Sequence, residues 1–287
     1  MKVAVSAVCW ITALCTLFVL AAPVAAFAAQ DVFTVRVGGV GISMLSEAQR
    51  DGDAGILIDA SEADLKKFVP TGKFPNAVAV YLVRTSEGPV LIDTGYGTNV
   101  AANLKTLGLS PRDIRKVLIT HRHGDHIGGL LKDGKAAFPN ARVYVPKLEY
   151  DGSGPVREAL EPYKGRVELI EPGTFDAPGK AVAPGIRPIA AYGHTPGHTM
   201  FMVESRGEKL LIWADLTHAM AIQMPRPDIS VSYDSNPGQA AASRISVLKY
   251  VTTNGIPVAG MHIAYPGIGR VSDDPENPGG YKFEPWK

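Results

Sequence analysis

The chain has 287 residues, 46% of them apolar and 20% charged, a composition ordinary for a globular protein of one or two domains. Its 29 basic and 28 acidic residues nearly balance, so the charge pattern typical of a nucleic-acid-binding protein is missing. The sequence contains no low-complexity tract and no internal repeat.

The first 30 residues differ from the rest because they hold a single charge, Lys2, ahead of a long apolar stretch that ends in small residues. We interpret residues 1–28 as a signal peptide, with Ala26-Phe27-Ala28 at the cleavage site, and expect a periplasmic or secreted protein. An uncleaved membrane anchor is the alternative, because the stretch is long enough to span a bilayer. Both cysteines lie in this segment, so residues 30–287, which we interpret as one domain, hold no thiol for metal binding or catalysis.

After the leader, short apolar runs rich in β-branched residues alternate with helical patterns, which predicts layered α and β structure. The elements predicted in chain order are strands at Ala77–Arg84 and Pro89–Gly95, a short helix opened by Ser110-Pro111, a buried strand at Lys116–Thr120, a hairpin of Thr199–Ser205 and Lys209–Asp215, a long helix opened by Pro237 and closed by Asn254-Gly255, and a final strand at Ile256–His262.

Two further features accompany these elements. Ile245, Leu248 and Val251 lie about one turn apart and are predicted to face the core from the long helix. Residues 151–180 are the least regular stretch, and we predict that they form a surface excursion.

The seven histidines occur in four short motifs, each of which follows or ends a predicted strand. Such loops are where α/β scaffolds present reactive groups. Several imidazoles beside carboxylates, without thiolates, suit Zn²⁺, and Mn²⁺ or Fe²⁺ also fit these ligand types. The pattern predicts a metal site in which Gly124 lets the first motif bend tightly. The motifs are HRHGDH with His121, His123, Asp125 and His126; GHTPGH with His194 and His198; WADLTH with Asp215 and His218; and GMHIAY with His262.

These motifs resemble those of the metallo-β-lactamase superfamily, whose H-x-H-x-D-H motif is matched by HRHGDH. The Asp93-Thr94-Gly95 turn precedes this motif, and GHTPGH, Asp215 and His262 come after it, in the family's order. The tail GMHIAYPGIGRV is most like the methyl parathion hydrolase and lactonase group. The resemblance implies an α+β fold, a four-layer αβ/βα sandwich of two mixed β-sheets flanked by helices, with the metal site at the sheet edge.

The resemblance also implies two zinc ions. His121, His123 and His194 would hold one, Asp125, His126 and His262 the other, and Asp215 would bridge them. Asp93 would orient the loop without touching metal, and His198 would be structural.

On the same basis the chain is expected to be an exported dinuclear-zinc hydrolase, in which a metal-bridging hydroxide cleaves an ester, lactone or phosphotriester bond. Asp125 would orient the hydroxide. His218 lies where lactonases carry a substrate-contacting tyrosine and would donate a hydrogen bond or act as a general acid. A pocket-lining role without catalysis is the alternative for His218.

We expect a small-molecule substrate and a partly apolar pocket that includes Trp213, Met220, Ile222 and Met224, although such a stripe is more often core. The segment Lys147–Lys180 is shorter than its counterpart in methyl parathion hydrolases, so an ester or lactone is favoured over a phosphotriester. The sequence predicts no nucleic-acid partner and no membrane contact beyond the leader, and it is compatible with a homodimer. An iron-dependent oxidoreductase of the same fold and a non-catalytic zinc-binding protein are the alternatives.

Overall fold

The computed structural model describes Met1, residues 31–150 and residues 154–287. All but the first residue of the predicted signal peptide at residues 1–28 lies outside the described residues, and the single domain at residues 30–287 stays a prediction. Within the described ranges, no helix is both long and apolar enough to cross a membrane.

The first of two large sheets has seven strands, which lie side by side in chain order. The first four are antiparallel neighbours, and the last four run parallel to one another. The strands are Val32–Val37, Val40–Asp53, Lys73–Thr85, Gly88–Ile92, Lys116–Leu118, Arg142–Pro146 and Val167–Ile170.

The second sheet has six strands, also in chain order, and all neighbours are antiparallel except the pair Glu208–Ile212 and Val258–Ala259. The other strands are Ile186–Ala190, Thr199–Ser205, Ile268–Asp273 and Tyr281–Pro285. Two small two-stranded sheets pair Leu57–Ile58 with Ser230–Val231 and Leu131–Lys132 with Lys135–Ala136.

The helices of the described ranges connect these strands. The α-helices are Glu62–Phe68, Val100–Thr106, Gly124–Ile127, Gly154–Leu160, Met220–Gln223 and Pro237–Asn254, and the 3₁₀ turns are Ala54–Ile56, Pro111–Asp113, Gly128–Leu130, Lys147–Glu149 and Glu161–Tyr163. The longest helix begins at an Asn236 cap, whose side chain accepts from the Gln239 amide, and ends at Gly255, whose φ of 62° is left-handed.

The hydrophobic core lies in three layers. Tyr81 and Ile92 of the first sheet face Phe201 and Ile212 of the second sheet, and all four side chains are fully buried. Helices cover the outer faces of both sheets with further apolar clusters. Each such side chain contributes about 1.5–3 kcal/mol when it leaves water. The arrangement confirms the predicted fold, two mixed β-sheets flanked by helices.

Several elements differ from the sequence-based expectation. Gly154–Leu160 forms a helix and Val167–Ile170 a strand that pairs with Arg142–Pro146, so the excursion predicted for residues 151–180 is wrong over residues 154–170. These four residues do not alternate between buried and exposed, so no strand pattern shows in the sequence, and the neighbouring strand supplies the hydrogen bonds. The strand predicted at Ile256–His262 covers only Val258–Ala259, and two more strands follow it.

The long helix also turns a different face inward. Leu248 and Val251 are fully buried as predicted, but Ile245 is 42% exposed and the buried arginine Arg244 takes its place. The pattern also missed the strands Val32–Val37 and Val40–Asp53, which form the first hairpin of the sheet.

Candidate metal centre

The histidine motifs meet at one edge of the two sheets. Asp93 and His121 follow the neighbouring parallel strands Gly88–Ile92 and Lys116–Leu118. Asp215 and His262 follow the parallel pair of the second sheet. Because the carboxyl ends of parallel strands share one edge, each sheet delivers two motifs to the same place.

The first group of candidate ligands is His121, His123, His194 and Asp215, whose ligand atoms all lie within 4.8 Å of one another. Nδ1 of His123 lies 3.1 Å from Nε2 of His121 and 3.0 Å from Nε2 of His194. The Asp215 Oδ2 atom lies 3.6 and 3.4 Å from the same two Nε2 atoms. Atoms that surround Zn²⁺ tetrahedrally at its usual bond lengths lie about 3.3 Å apart, so these four fit one cation.

The second group is Asp125, His126 and His262. The Asp125 carboxylate lies 3.7 Å from Nε2 of His126 and 3.5 Å from Nε2 of His262. Asp215 reaches this group as well, since its Oδ1 is 3.2 Å from His126 Nε2 and its Oδ2 is 3.0 Å from His262 Nε2. Asp215 is therefore the carboxylate common to both groups.

Two buried atoms at the centre of the cluster, His126 Nε2 and Asp215 Oδ1, make no hydrogen bond, although they lie 3.2 Å apart. A buried polar atom without a partner costs about 1–3 kcal/mol. Cations held by the two groups would satisfy both atoms, so the donor set fits a pair of metal ions.

Two of the candidate ligand histidines are oriented by the ring nitrogen that points away from the cluster. His126 Nδ1 donates to Asp93 Oδ2 at 2.6 Å, and His262 Nδ1 donates to the Ala77 carbonyl at 2.7 Å. Asp93 also accepts from the amide and hydroxyl of Thr120, directly before the first motif. Such partners set the tautomer and the ring direction of a ligand histidine.

His198 is buried beside the cluster and bonds only to backbone. Its Nδ1 donates to the Ala191 carbonyl, and its Nε2 accepts from the Asp215 amide. Burial lowers the pKa of His198 to about 3, so the ring is neutral and can hold both bonds. Ala214, directly before Asp215, has a φ of 53°, a strained value that aims the following carboxylate into the cluster.

The buried carboxylates of the cluster favour the positively charged form of two histidines, His194 and His126. Burial alone would lower the pKa of His194, yet Asp215 and Asp234 outweigh it and raise that pKa to about 9. The pKa of His126 is also well above its ordinary value, since Asp215, Asp93 and Asp125 outweigh the effect of burial. The buried carboxylates thus favour positive charge, which bound cations would also supply.

Two carboxylates that hold the site were missed by sequence reasoning. Asp234 accepts from His194 Nδ1 at 2.8 Å. Glu149, fully buried, accepts from the amides of Arg122 and Gly197, which lie inside the first and second histidine motifs. Neither residue lies in a motif, and Asp234 resembles an ordinary residue before a helix cap. Each of these carboxylates is far in the chain from the motif that it contacts, and only the fold brings the two together.

The expected role of Gly124 in bending the loop is wrong, since Gly124 begins a helix, its φ is not left-handed and a side chain there would meet open space. The tight position is Gly129, where a Cβ would lie 2.1 Å from the Thr94 carbonyl. This close approach packs the first histidine motif against the Asp93 turn.

A cavity of about 570 Å³ opens onto the cluster. Its lining includes His123, Asp125, Asp215, His218 and His262 of the cluster, together with Arg50, Asp51, Gly52, Asp53, Ile56, Asn76, Tyr96, Gly124 and Tyr233. Most of these residues are polar, and the two tyrosines, each about half exposed, add apolar surface to the lining.

The apolar stripe expected in the pocket is elsewhere. Trp213, Ile222 and Met224 are buried in core clusters, and Met220 lines a separate groove. The expectation is wrong because the packing of the second sheet and its helices directs these side chains away from the cavity.

His218 lies within the cluster, and its Nε2 is 3.1 Å from Asp215 Oδ2. Burial lowers the pKa of His218 to about 4. Unlike His126, His194 and His262, His218 has no partner for its buried Nδ1.

A family model described as the metallo-beta-lactamase superfamily matches residues 74–255, more than half of the chain. The chain belongs to this superfamily. It is a metal-dependent hydrolase of the metallo-β-lactamase fold, and its relatives include lactonases.

Among these relatives, an N-acyl homoserine lactonase of Bacillus cereus is 25% identical over 207 residues, which are 62% of this chain and 77% of that protein. One from Bacillus thuringiensis is 28% identical over 165 residues, which are 47% of this chain and 61% of that protein, less than two thirds of its length.

Two solved structures share the fold over nearly their whole length. AbOPH, a hydrolase in the beta lactamase superfamily, has a TM-score of 0.81 and 25% identity, with 90% of this chain and 98% of that chain covered. AidC, a dizinc quorum-quenching lactonase in complex with a product, has a TM-score of 0.79 and 24% identity, with 89% and 97% covered.

Proposed function

We propose that the chain is an exported dizinc hydrolase that opens a lactone or cleaves an ester of a small molecule. The observation that carries the proposal is the convergence of two groups of ligand atoms on one shared carboxylate, at the floor of an open cavity. The lactonases among its relatives support the substrate class.

His121, His123 and His194 would hold one zinc ion, Asp125, His126 and His262 the other, and Asp215 both. Bound there, the two ions would supply Lewis acidity, which lowers the pKa of water and stabilises the charge that develops on the substrate oxygen. The neutral or deprotonated donors that this requires are the ones present, imidazoles and carboxylates.

Asp125 has a second task in this proposal. Its carboxylate is the partly exposed member of its group, with 18% of the side chain exposed, and it lines the cavity. An oxygen of Asp125 would accept a hydrogen bond from the attacking water and turn the lone pair of that water toward the substrate carbonyl. The residue would therefore orient as well as ligate.

His218 would act as a hydrogen-bond donor to the leaving oxygen. His126, His194 and His262, which point Nε2 at the cluster, each have a partner for Nδ1, whereas His218 has none. Its Nε2 also forms a possible ligand group with Asp215 and His262, but His218 lacks the bond through the opposite nitrogen that usually orients a ligand histidine. Since its Nε2 faces a carboxylate oxygen, Nε2 carries the proton. When the Asp215 oxygen binds the cations, the Nε2–H group of His218 would be free to donate to the substrate instead.

The cavity favours a substrate with a polar reacting end. Ile56 is the one aliphatic side chain among its lining residues in the part of the chain that the structure describes, while Tyr96 and Tyr233 offer amphipathic rings at the opening. A lactone or small ester fits such a lining. A phosphotriester would be a side activity. Export rests on the predicted leader at residues 1–28.

A substrate panel on zinc-replete protein tests the proposal. N-acyl homoserine lactones, other lactones, aryl esters, phosphotriesters and nitrocefin are compared by kcat/KM, with the metal content measured on the same sample. We expect two zinc ions per chain and the highest kcat/KM on a lactone or ester. Bound zinc without turnover on any substrate would favour a non-catalytic protein, and iron as the native metal would favour an oxidoreductase. Detection of the protein in a periplasmic fraction tests export.

A further inference from the structure

The long helix Pro237–Asn254 carries a buried charge that none of the roles above uses. Arg244 is 1% exposed, although it lies in the middle of the helix and bears a full guanidinium group. Buried arginines are costly unless their donors are paired. The groups that pair with Arg244 therefore indicate what the buried guanidinium group does.

Three of its hydrogen bonds end on backbone carbonyls. Nε donates to Leu216 at 2.8 Å, and one terminal nitrogen donates to Pro227 at 2.8 Å and to Ile229 at 2.7 Å. Leu216 directly follows Asp215, the carboxylate common to both ligand groups. The first bond therefore fixes the backbone that carries this carboxylate.

The remaining guanidinium nitrogen, Nη2, lies 3.8 Å from Oδ2 of Asp234, and both side chains are 1% exposed. The other oxygen of Asp234 accepts from His194 Nδ1 at 2.8 Å. Arg244, Asp234 and His194 thus form one buried row that leads from the helix to the first ligand group.

The backbone around this row also holds His194. The Ser235 amide and hydroxyl both donate to the His194 carbonyl, and the Asn236 amide donates to Gly193. A Cβ at Gly193 would lie 2.1 Å from the Ala240 amide, so the loop sits directly on the start of the helix. His194 is consequently positioned from both its ring and its carbonyl.

We propose that Arg244 is a positioning residue for the metal centre, acting on His194 through Asp234 and on Asp215 through Leu216. One guanidinium group would then set the directions of two ligands that come from different loops. This inference rests on the proposed dizinc function. It adds that the affinity for the cation of the first ligand group depends on a residue that touches neither metal nor substrate.

The test compares Arg244→Met and Asp234→Asn with a matched control, Arg166→Met. Arg166, which is half-buried, also donates to three backbone carbonyls, those of Pro139, Ala141 and Pro162, but it precedes the strand Val167–Ile170 and so lies at the opposite end of the parallel strands from the histidine motifs. Zinc affinity is measured against a competing chelator, the Co²⁺-substituted proteins are compared by absorption spectrum, and thermal unfolding is followed with and without metal.

We expect Arg244→Met and Asp234→Asn to weaken the binding of one zinc ion by about 10–100-fold and to alter the Co²⁺ spectrum. Their kcat should fall at saturating zinc with little change in KM. Arg166→Met should lower metal-free stability and leave affinity and spectrum unchanged. Asp234→Asn keeps the size of the side chain and decides the matter if Arg244→Met does not fold.

Wild-type zinc affinity and spectrum in both Arg244→Met and Asp234→Asn, with stability lowered as in Arg166→Met, would overturn the inference and leave the dizinc function intact. A wild-type protein that binds no zinc would instead refute the proposed function itself.

Discussion

Glu149 offers a direct measure of how the two histidine motifs are held together. It ends the 3₁₀ turn Lys147–Glu149, and its carboxylate accepts from the Arg122 amide at 2.9 Å and from the Gly197 amide at 2.5 Å. The side chain is fully buried.

Glu149→Gln keeps the length of the side chain but replaces one acceptor oxygen with an NH₂ group that must face an amide N–H. The substitution removes one charge-assisted hydrogen bond and leaves a buried donor without an acceptor, so we expect a loss of about 2–4 kcal/mol in the free energy of unfolding. For a chain of this size that lowers Tm by roughly 5–15 °C.

Thermal unfolding with chelator present measures this loss without the contribution of metal. A second scan with zinc should give a smaller rise in Tm than in the wild type, because displaced motifs bind metal more weakly. Glu171→Gln is the control, since Glu171 pairs with Lys147 at 3.0 Å but is 76% exposed and should change stability by less than about 0.5 kcal/mol. Equal Tm values for the two metal-free variants would refute the reasoning.

The other predictions concern the metal centre itself. His121→Ala should abolish hydrolysis and lower the zinc content, and full activity in a variant with verified metal content would contradict the ligand assignment. His198→Ala removes two buried hydrogen bonds and should cost about 2–4 kcal/mol by denaturant unfolding while zinc content stays near the wild-type value; loss of zinc with unchanged stability would make it a ligand. His218→Gln should keep its zinc and lower kcat by about 10²-fold or more, and an unchanged kcat and pH–rate profile would remove His218 from the mechanism. Exhaustive chelation should abolish activity and added zinc restore it, whereas activity that survives chelation would contradict the proposed function.

The family and its metal-binding motifs were readable from the sequence because each motif is local. In HRHGDH, four candidate ligands fall within six positions, so their clustering needs no knowledge of the fold. The resemblance then placed Asp215 and His262 in order, and the parallel strand pairs explain why these distant residues meet.

The supporting residues could not be found in the same way. Asp234 accepts from His194, 40 positions away, and Glu149 accepts from the amides of Arg122 and Gly197, 27 and 48 positions away. Contacts over such distances leave no trace in local periodicity. Trp213 was misplaced for a related reason: an apolar residue after a strand can face a pocket or a core, and the partner surface decides which.

The amino-acid sequence alone determined which side chains are available for chemistry, since the spacing of histidines and aspartates along a few short loops is a property of the chain. Only the tertiary structure decided what those side chains can do. Their ring directions, their charge environment and the shape of the cavity depend on buried contacts between distant segments, and such contacts form only when the two sheets pack together.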